Sequence, residues 1–86
     1  MNDKVWEKLW RILDSNDHEA IVYVYRLDSH GKAIKPCLLK CDAWSGLPEM
    51  LRDEFNGGYF NVLIRKNRTM IFSGKIGIGA RLLNKV

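Results

Sequence analysis

Apolar residues recur along the first fourteen positions at helical spacing. At 100° per residue, Val5, Trp6, Leu9, Trp10, Ile12 and Leu13 fall within one arc of about 160°. Lys4, Glu7, Lys8, Arg11 and Asp14 fill the other side. The pattern predicts a helix over Asp3–Asp14, closed by Ser15-Asn16-Asp17, residues whose side chains bond their own backbone in turns. The arc is wide and carries two of the three tryptophans, so part of this face is expected to serve as an interface.

The period then changes. Ala20–Leu27, AIVYVYRL, is rich in β-branched and aromatic residues and predicts a strand. Asp28-Ser29-His30-Gly31 is a turn, and Ala33–Trp44 is the returning strand. Pro36 has no N–H to donate to a ladder, which places it at the strand start or on an edge. Cys37, Leu39, Cys41 and Ala43 share a small apolar face while Lys40 and Asp42 point the other way, giving a hairpin with one buried face.

Pro48 suits a first helical position and Glu49 a first turn, so a second helix is expected between Ser45-Gly46-Leu47 and the stop at Asn56-Gly57-Gly58. Leu47, Met50, Leu51, Glu54 and Phe55 lie on one side; Glu49, Arg52 and Asp53 lie on the other. With only about two turns, this helix depends on packing of Leu51 and Phe55. Tyr59–Arg65 alternates cleanly, with Phe60, Val62 and Ile64 against Tyr59, Asn61, Leu63 and Arg65. Lys66-Asn67 is the expected tight turn and Arg68–Ser73 the return. From Gly74 the period fades, and KIGIGARLLNKV reads as an irregular final strand, a mobile tail or an arm that docks on a partner.

The order α-β-β-α-β-β predicts an α+β domain, an antiparallel sheet of two hairpins with helices packed on one face. The domain is placed at 1–79, with 80–86 a basic C-terminal tail. Helix–hairpin halves in this order also occur in some dimeric DNA-binding folds, but topology does not fix function.

Composition narrows the classes. At 86 residues, 47% hydrophobic and 28% charged, the chain has the apolar content for a core and is neither a disordered tail nor a collagen-like repeat. A chain this short buries roughly two-thirds of the surface of its unfolded form, so it needs good packing or a partner. Cys37 and Cys41, four apart on an extended strand, lie about 13 Å from each other, beyond bridging range. They read as buried thiols in a reducing compartment. No apolar run reaches the ~20 residues of a membrane span, and the N-terminal segment is charged and amphipathic, unlike a signal peptide. A cytoplasmic protein with no membrane partner is expected.

Candidate catalytic chemistry is sparse. His18 sits in an Asp17-His18-Glu19 linker and His30 at a hairpin tip, where exposure leaves little to tune a pKa. No catalytic residues are assigned. Cys37 and Cys41 lack the second ligand pair of a structural zinc site, so no metal and no cofactor is expected. Gly74-Lys75-Ile76-Gly77-Ile78-Gly79 resembles a phosphate loop only superficially, because no Ser or Thr follows the lysine and no βαβ unit follows the loop.

Charge and aromatics are more informative. Fourteen Lys and Arg against ten Asp and Glu give +4, which favours anionic partners. Arg65, Lys66 and Arg68 cluster at the second hairpin tip, and Lys75, Arg81 and Lys85 follow. Such a tip grips phosphates, with Tyr59 or Phe72 available to stack bases. Charged tips also keep strand edges soluble. The competing reading rests on Trp6, Trp10 and Trp44 with Tyr23 and Tyr25, which exceed the needs of a small core. On it Trp6, Trp10, Trp44 and Tyr25 form a protein interface, since aromatics dominate such surfaces.

Gly57-Gly58-Tyr59-Phe60-Asn61-Val62-Leu63-Ile64-Arg65, followed by Arg68-Thr69-Met70-Ile71-Phe72-Ser73-Gly74 and preceded by Leu47-Pro48-Glu49-Met50-Leu51-Arg52, resembles segments of small accessory proteins of phages and mobile elements. The resemblance implies a virion adaptor, a nucleic-acid binder or an inhibitor of host defence, and it carries no catalytic residues. The expected function is a non-catalytic binding or adaptor protein acting through protein–protein contacts, by self-association as a homodimer or with a protein partner. The alternative is a small nucleic-acid-binding protein that uses the basic hairpin tip and tail.

Overall fold

The helix of the first fourteen residues forms where its apolar arc predicts, α1 at Asp3–Asp14. In the computed structural model, which describes residues 3–79, it is followed by β1 (Ile21–Arg26), β2 (Leu39–Asp42), α2 (Leu47–Asp53), β3 (Gly58–Lys66) and β4 (Thr69–Ile78). The expectations for the tail at 80–86, including Arg81 and Lys85, lie outside the described residues. The four strands form one antiparallel sheet in the order β2-β1-β3-β4. The fold is α+β, with two hairpins joined through the β1–β3 pair.

Alternation sorts the strand residues onto two faces. Val22 and Val24 of β1 pair with Ile64 and Val62 of β3, and Phe72 and Ile76 of β4 pair with Ile64 and Phe60. This inner face meets Trp6, Leu9 and Leu13 of α1 and Leu47 and Leu51 of α2 in one buried cluster. Val5, Trp10 and Ile12 pack against the cluster only partly buried, and Val5 rests on Gly74 in the middle of β4.

Three segments depart from expectation. The returning strand of the first hairpin shrinks to Leu39–Asp42. Leu27 still bridges to Ala33, but Pro36, which follows a cis Lys35–Pro36 bond, offers no N–H, and regular pairing resumes only at Leu39. Cys37 therefore lies in the loop; it and Cys41 are free thiols and both only half-buried. The second hairpin turns one residue later than expected, at Asn67 and Arg68, with φ of 52° and 67°. Finally, the segment after Gly74 is a regular strand. Gly74–Ile78 pairs with Gly58–Val62 throughout, and the buried Ile76 and Ile78 hold it to the core despite its glycines.

The join between α2 and β3 has a specific fastening. Asn56, Gly57 and Gly58 all adopt positive φ, which lifts the chain off the helix end and into the sheet. A side chain on Gly57 would collide with the carbonyl oxygen of Ile78. Arg26 reaches across from β1 and donates to the Gly57 and Phe55 carbonyls at 2.9 and 2.7 Å. Its guanidinium carbon lies 5.0 Å from the centre of the Phe60 ring. Two carbonyls of the connection beyond the helix thus gain a charged donor, and the cation is stacked on an aromatic face.

Candidate functional site

Both helices pack on the inner face, and the side chains of the opposite face stand outside the core cluster. Strand pairing arranges that outer face in four rows. Asp42, Ile21, Arg65 and Met70 form the first; Lys40, Tyr23, Leu63 and Ser73 the second. Tyr25, Asn61 and Lys75 form the third, and Leu27, Tyr59 and Gly77 the fourth, where the Leu27 amide donates to the Tyr59 carbonyl at 2.9 Å. Rows on one face of a strand repeat every ~6.7 Å and neighbouring strands every ~4.8 Å. The face is consequently a shallow grid in which three tyrosines and three aliphatic residues, Ile21, Leu27 and Leu63, are interspersed with polar groups.

Its charge is one-sided. Lys40, Arg65 and Lys75 are exposed cations, and Asp42 is the single acid in the four rows. Lys40 holds its ammonium 5.5 Å from the centre of the Tyr23 ring. Lys75 donates to the Gly31 carbonyl at 2.8 Å, and Arg65 to the Arg68 carbonyl at 3.3 Å. Each keeps further N–H groups to offer, since an ammonium has three and a guanidinium five. Asp42 meets His18 Nδ1 at 3.3 Å on the rim, where His18 is almost fully exposed.

The other residues singled out from the sequence are distributed differently. Lys66 turns away from the face and pairs with Asp17 at 2.5 Å. That hydrogen bond raises the Lys66 ammonium above its ordinary value and holds the Asp17 carboxyl below its own. Lys66 is therefore committed within the fold, while Arg68 is exposed in the turn. Phe72, considered as a stacking residue, is 4% exposed and belongs to the core.

The tryptophan surface is not assembled as expected. Trp6 is 6% exposed and part of the core, so it offers little surface. Trp10 is half-buried and stacked on it, with ring centres 6.0 Å apart. Both indole N–H groups are buried without a hydrogen-bond partner. Trp44 alone is exposed, at 41%, with its ring lying over Gly46, where any Cβ would collide with it. Trp44 and the Trp6–Trp10 pair sit on separate elements. Tyr25 lies half-buried on the outer face, beside Asn61 and one row from Tyr23.

Sequence reasoning passed over Lys40 as a site residue. The signal was present, because alternation already turned Lys40 away from the apolar Leu39–Cys41 face. What was missing was register, which sets Lys40 opposite Tyr23.

The remaining chemistry is limited. Burial pushes the Cys41 thiol up, so it is less ionised than an ordinary cysteine. Among the described residues no three His, Cys, Asp or Glu side chains are grouped to hold a metal ion, and no helix is long and apolar enough to cross a membrane. No family model, curated protein or solved structure matches the chain. The functional reading accordingly rests on the chain's own geometry.

Proposed function

We propose that this protein binds single-stranded nucleic acid on the open face of its sheet. The observation that supports this reading is the co-location of Tyr23, Tyr25 and Tyr59 with Lys40, Arg65 and Lys75 on one face that neither helix covers. Unpaired bases expose π-faces that stack on aromatic side chains, and cations beside those rings meet the phosphates. A duplex hides its base faces and would engage only the charges.

The same face suits a second copy poorly. A two-fold dimer is isologous and would bring Lys40, Arg65 and Lys75 of both protomers into one interface, with Asp42 on the face and Asp28 at its corner from each to offset them. Lysine is depleted from protein interfaces for the related reason that its hydration is lost there. A polyanion matches the face without that conflict.

The test is anisotropy titration of a labelled oligothymidylate of about twelve nucleotides, a length within the usual site sizes, alongside a duplex of equal length. The expected result is saturable binding at low salt, stronger for the single strand. Replacing Tyr23 and Tyr25 together by Ala is expected to weaken it at least tenfold, from about 1–3 kcal/mol per stacked base. No complex at low salt, or a salt-resistant dimer in light scattering that ignores the oligonucleotide, overturns the proposal.

A further inference from the structure

The hollow at the fourth-row corner of the sheet has chemistry of its own. It encloses about 440 Å³ between the 28–31 turn and the β3–β4 hairpin. Leu27 and Ile76 give it apolar surface, and Tyr59, 57% exposed, supplies an aromatic wall. Lys75, which also belongs to the third row of the open face, lines the hollow and ties down the turn through the Gly31 carbonyl. The turn is independently ordered. Asp28 Oδ1 accepts from the backbone N–H of His30 and of Lys32 at 2.8 and 3.0 Å, the usual self-bonding of an Asx turn.

This arrangement leaves two groups to offer a ligand. Asp28 Oδ2 has no hydrogen bond among the described residues, and the Lys75 ammonium has donors beyond the one given to Gly31. The unused carboxylate oxygen excludes a phosphate as occupant by like charge. A planar heteroaromatic ring is accommodated, stacked on Tyr59 and presenting donors to Asp28 and an acceptor to Lys75.

We infer that this hollow takes one splayed base of the bound strand and favours guanine. The inference rests on the single-strand reading and names a base-reading subsite within it. Guanine carries an acceptor, O6, beside two adjacent donors, N1–H and N2–H, which complements a lysine next to a carboxylate. Thymine and uracil offer one N–H flanked by two carbonyls, which the carboxylate repels. Adenine and cytosine each bring a single amino donor. Bases lifted out of a stack are commonly read in this way, on their pairing edge and between apolar surfaces.

Asp28→Asn separates reading from folding. Asparagine keeps Oδ1 for the Asx turn and converts the free oxygen into a donor. Two probes of about twelve nucleotides are titrated, one all thymidine and one with a single internal guanosine. For the unaltered protein the guanosine probe is expected to bind about tenfold tighter, at the low end of the discrimination that specific base-edge contacts supply. In Asp28→Asn that advantage disappears while the all-thymidine affinity is retained. A second variant, Tyr59→Ala at its exposed position, is expected to weaken both probes and abolish the difference. Equal affinities for the unaltered protein, or an advantage that survives Asp28→Asn, overturn the guanine subsite while leaving the open-face reading standing. Failure of both probes to bind overturns the open-face reading itself.

Discussion

The three cations of the open face make a quantitative expectation about salt. If Lys40, Arg65 and Lys75 each neutralise one phosphate of a single strand, the slope of log K against log salt is about −0.7 per contact, or roughly −2.1 in sum. Raising salt fourfold, from about 50 to 200 mM, then lowers affinity by about twentyfold. Replacing one of the three by Gln brings the slope to about −1.4, and replacing all three brings it near zero. Lys66→Gln is the internal control. Its ammonium is held by Asp17 and faces away from the sheet's open side, so the slope should stay near its starting value. Anisotropy titrations of oligothymidylate at five salt concentrations measure these slopes directly. A slope that does not change when Lys40, Arg65 and Lys75 are all removed, or one that falls with Lys66 instead, refutes the placement of the phosphates on this face.

Three further expectations concern the fold. Phe60, 0% exposed beneath the Arg26 guanidinium, should cost about 3–5 kcal/mol when truncated to Ala, read from urea unfolding; a loss below about 1 kcal/mol would show that the inner face is not the core. Gly57→Ala should destabilise by at least about 1–2 kcal/mol, because φ of 62° and the Ile78 carbonyl both oppose a side chain, whereas Asn56→Gly should stay within about 0.5 kcal/mol. The Asp17–Lys66 pair sets a pH window. Asp17 is lowered below 3.8, so its contribution is complete above that value and fades as pH falls through the lowered one; Lys66 is raised above 10.5, so its contribution holds below that value and fades as pH rises through the raised one. The stability difference between the unaltered protein and Asp17→Asn should therefore be constant from about pH 5 to 9 and shrink in acid, as thermal unfolding across pH will show.

Elements with a strong period are legible in the sequence alone. The α1 arc, the Phe60-Val62-Ile64 alternation and the Pro48 helix start each encode local geometry that tertiary packing had no reason to overrule. The weaker segments failed where long-range pairing decides. Gly74–Ile78 is weakened as a strand by its two glycines, yet β3 templates it and Ile76 and Ile78 anchor it. Lys66 read as part of a basic tip because Asp17, its partner, lies far away in the chain and is brought to it only by the sheet. How the tryptophans divide between core and surface was likewise not legible. An amphipathic arc does not say how much of a sheet it will cover, and here the inner face absorbs Trp6 completely. The open face was half visible, since its tyrosines and Arg65 stood out individually while the rows that join them depend on register.

The sheet also divides the sequence into two sets of positions with separate obligations. On β1, Val22 and Val24 answer to the core, and Tyr23 and Tyr25, their immediate neighbours, answer to whatever lies outside. On β3, Phe60, Val62 and Ile64 alternate in the same way with Tyr59, Asn61, Leu63 and Arg65. Substitutions at the second set meet few core contacts, so the binding surface can be rewritten one residue at a time with little effect on folding. A chain too small to tolerate much loss of stability thereby keeps a freely variable surface, and descendants of one ancestor could recognise different ligands while remaining superimposable in backbone.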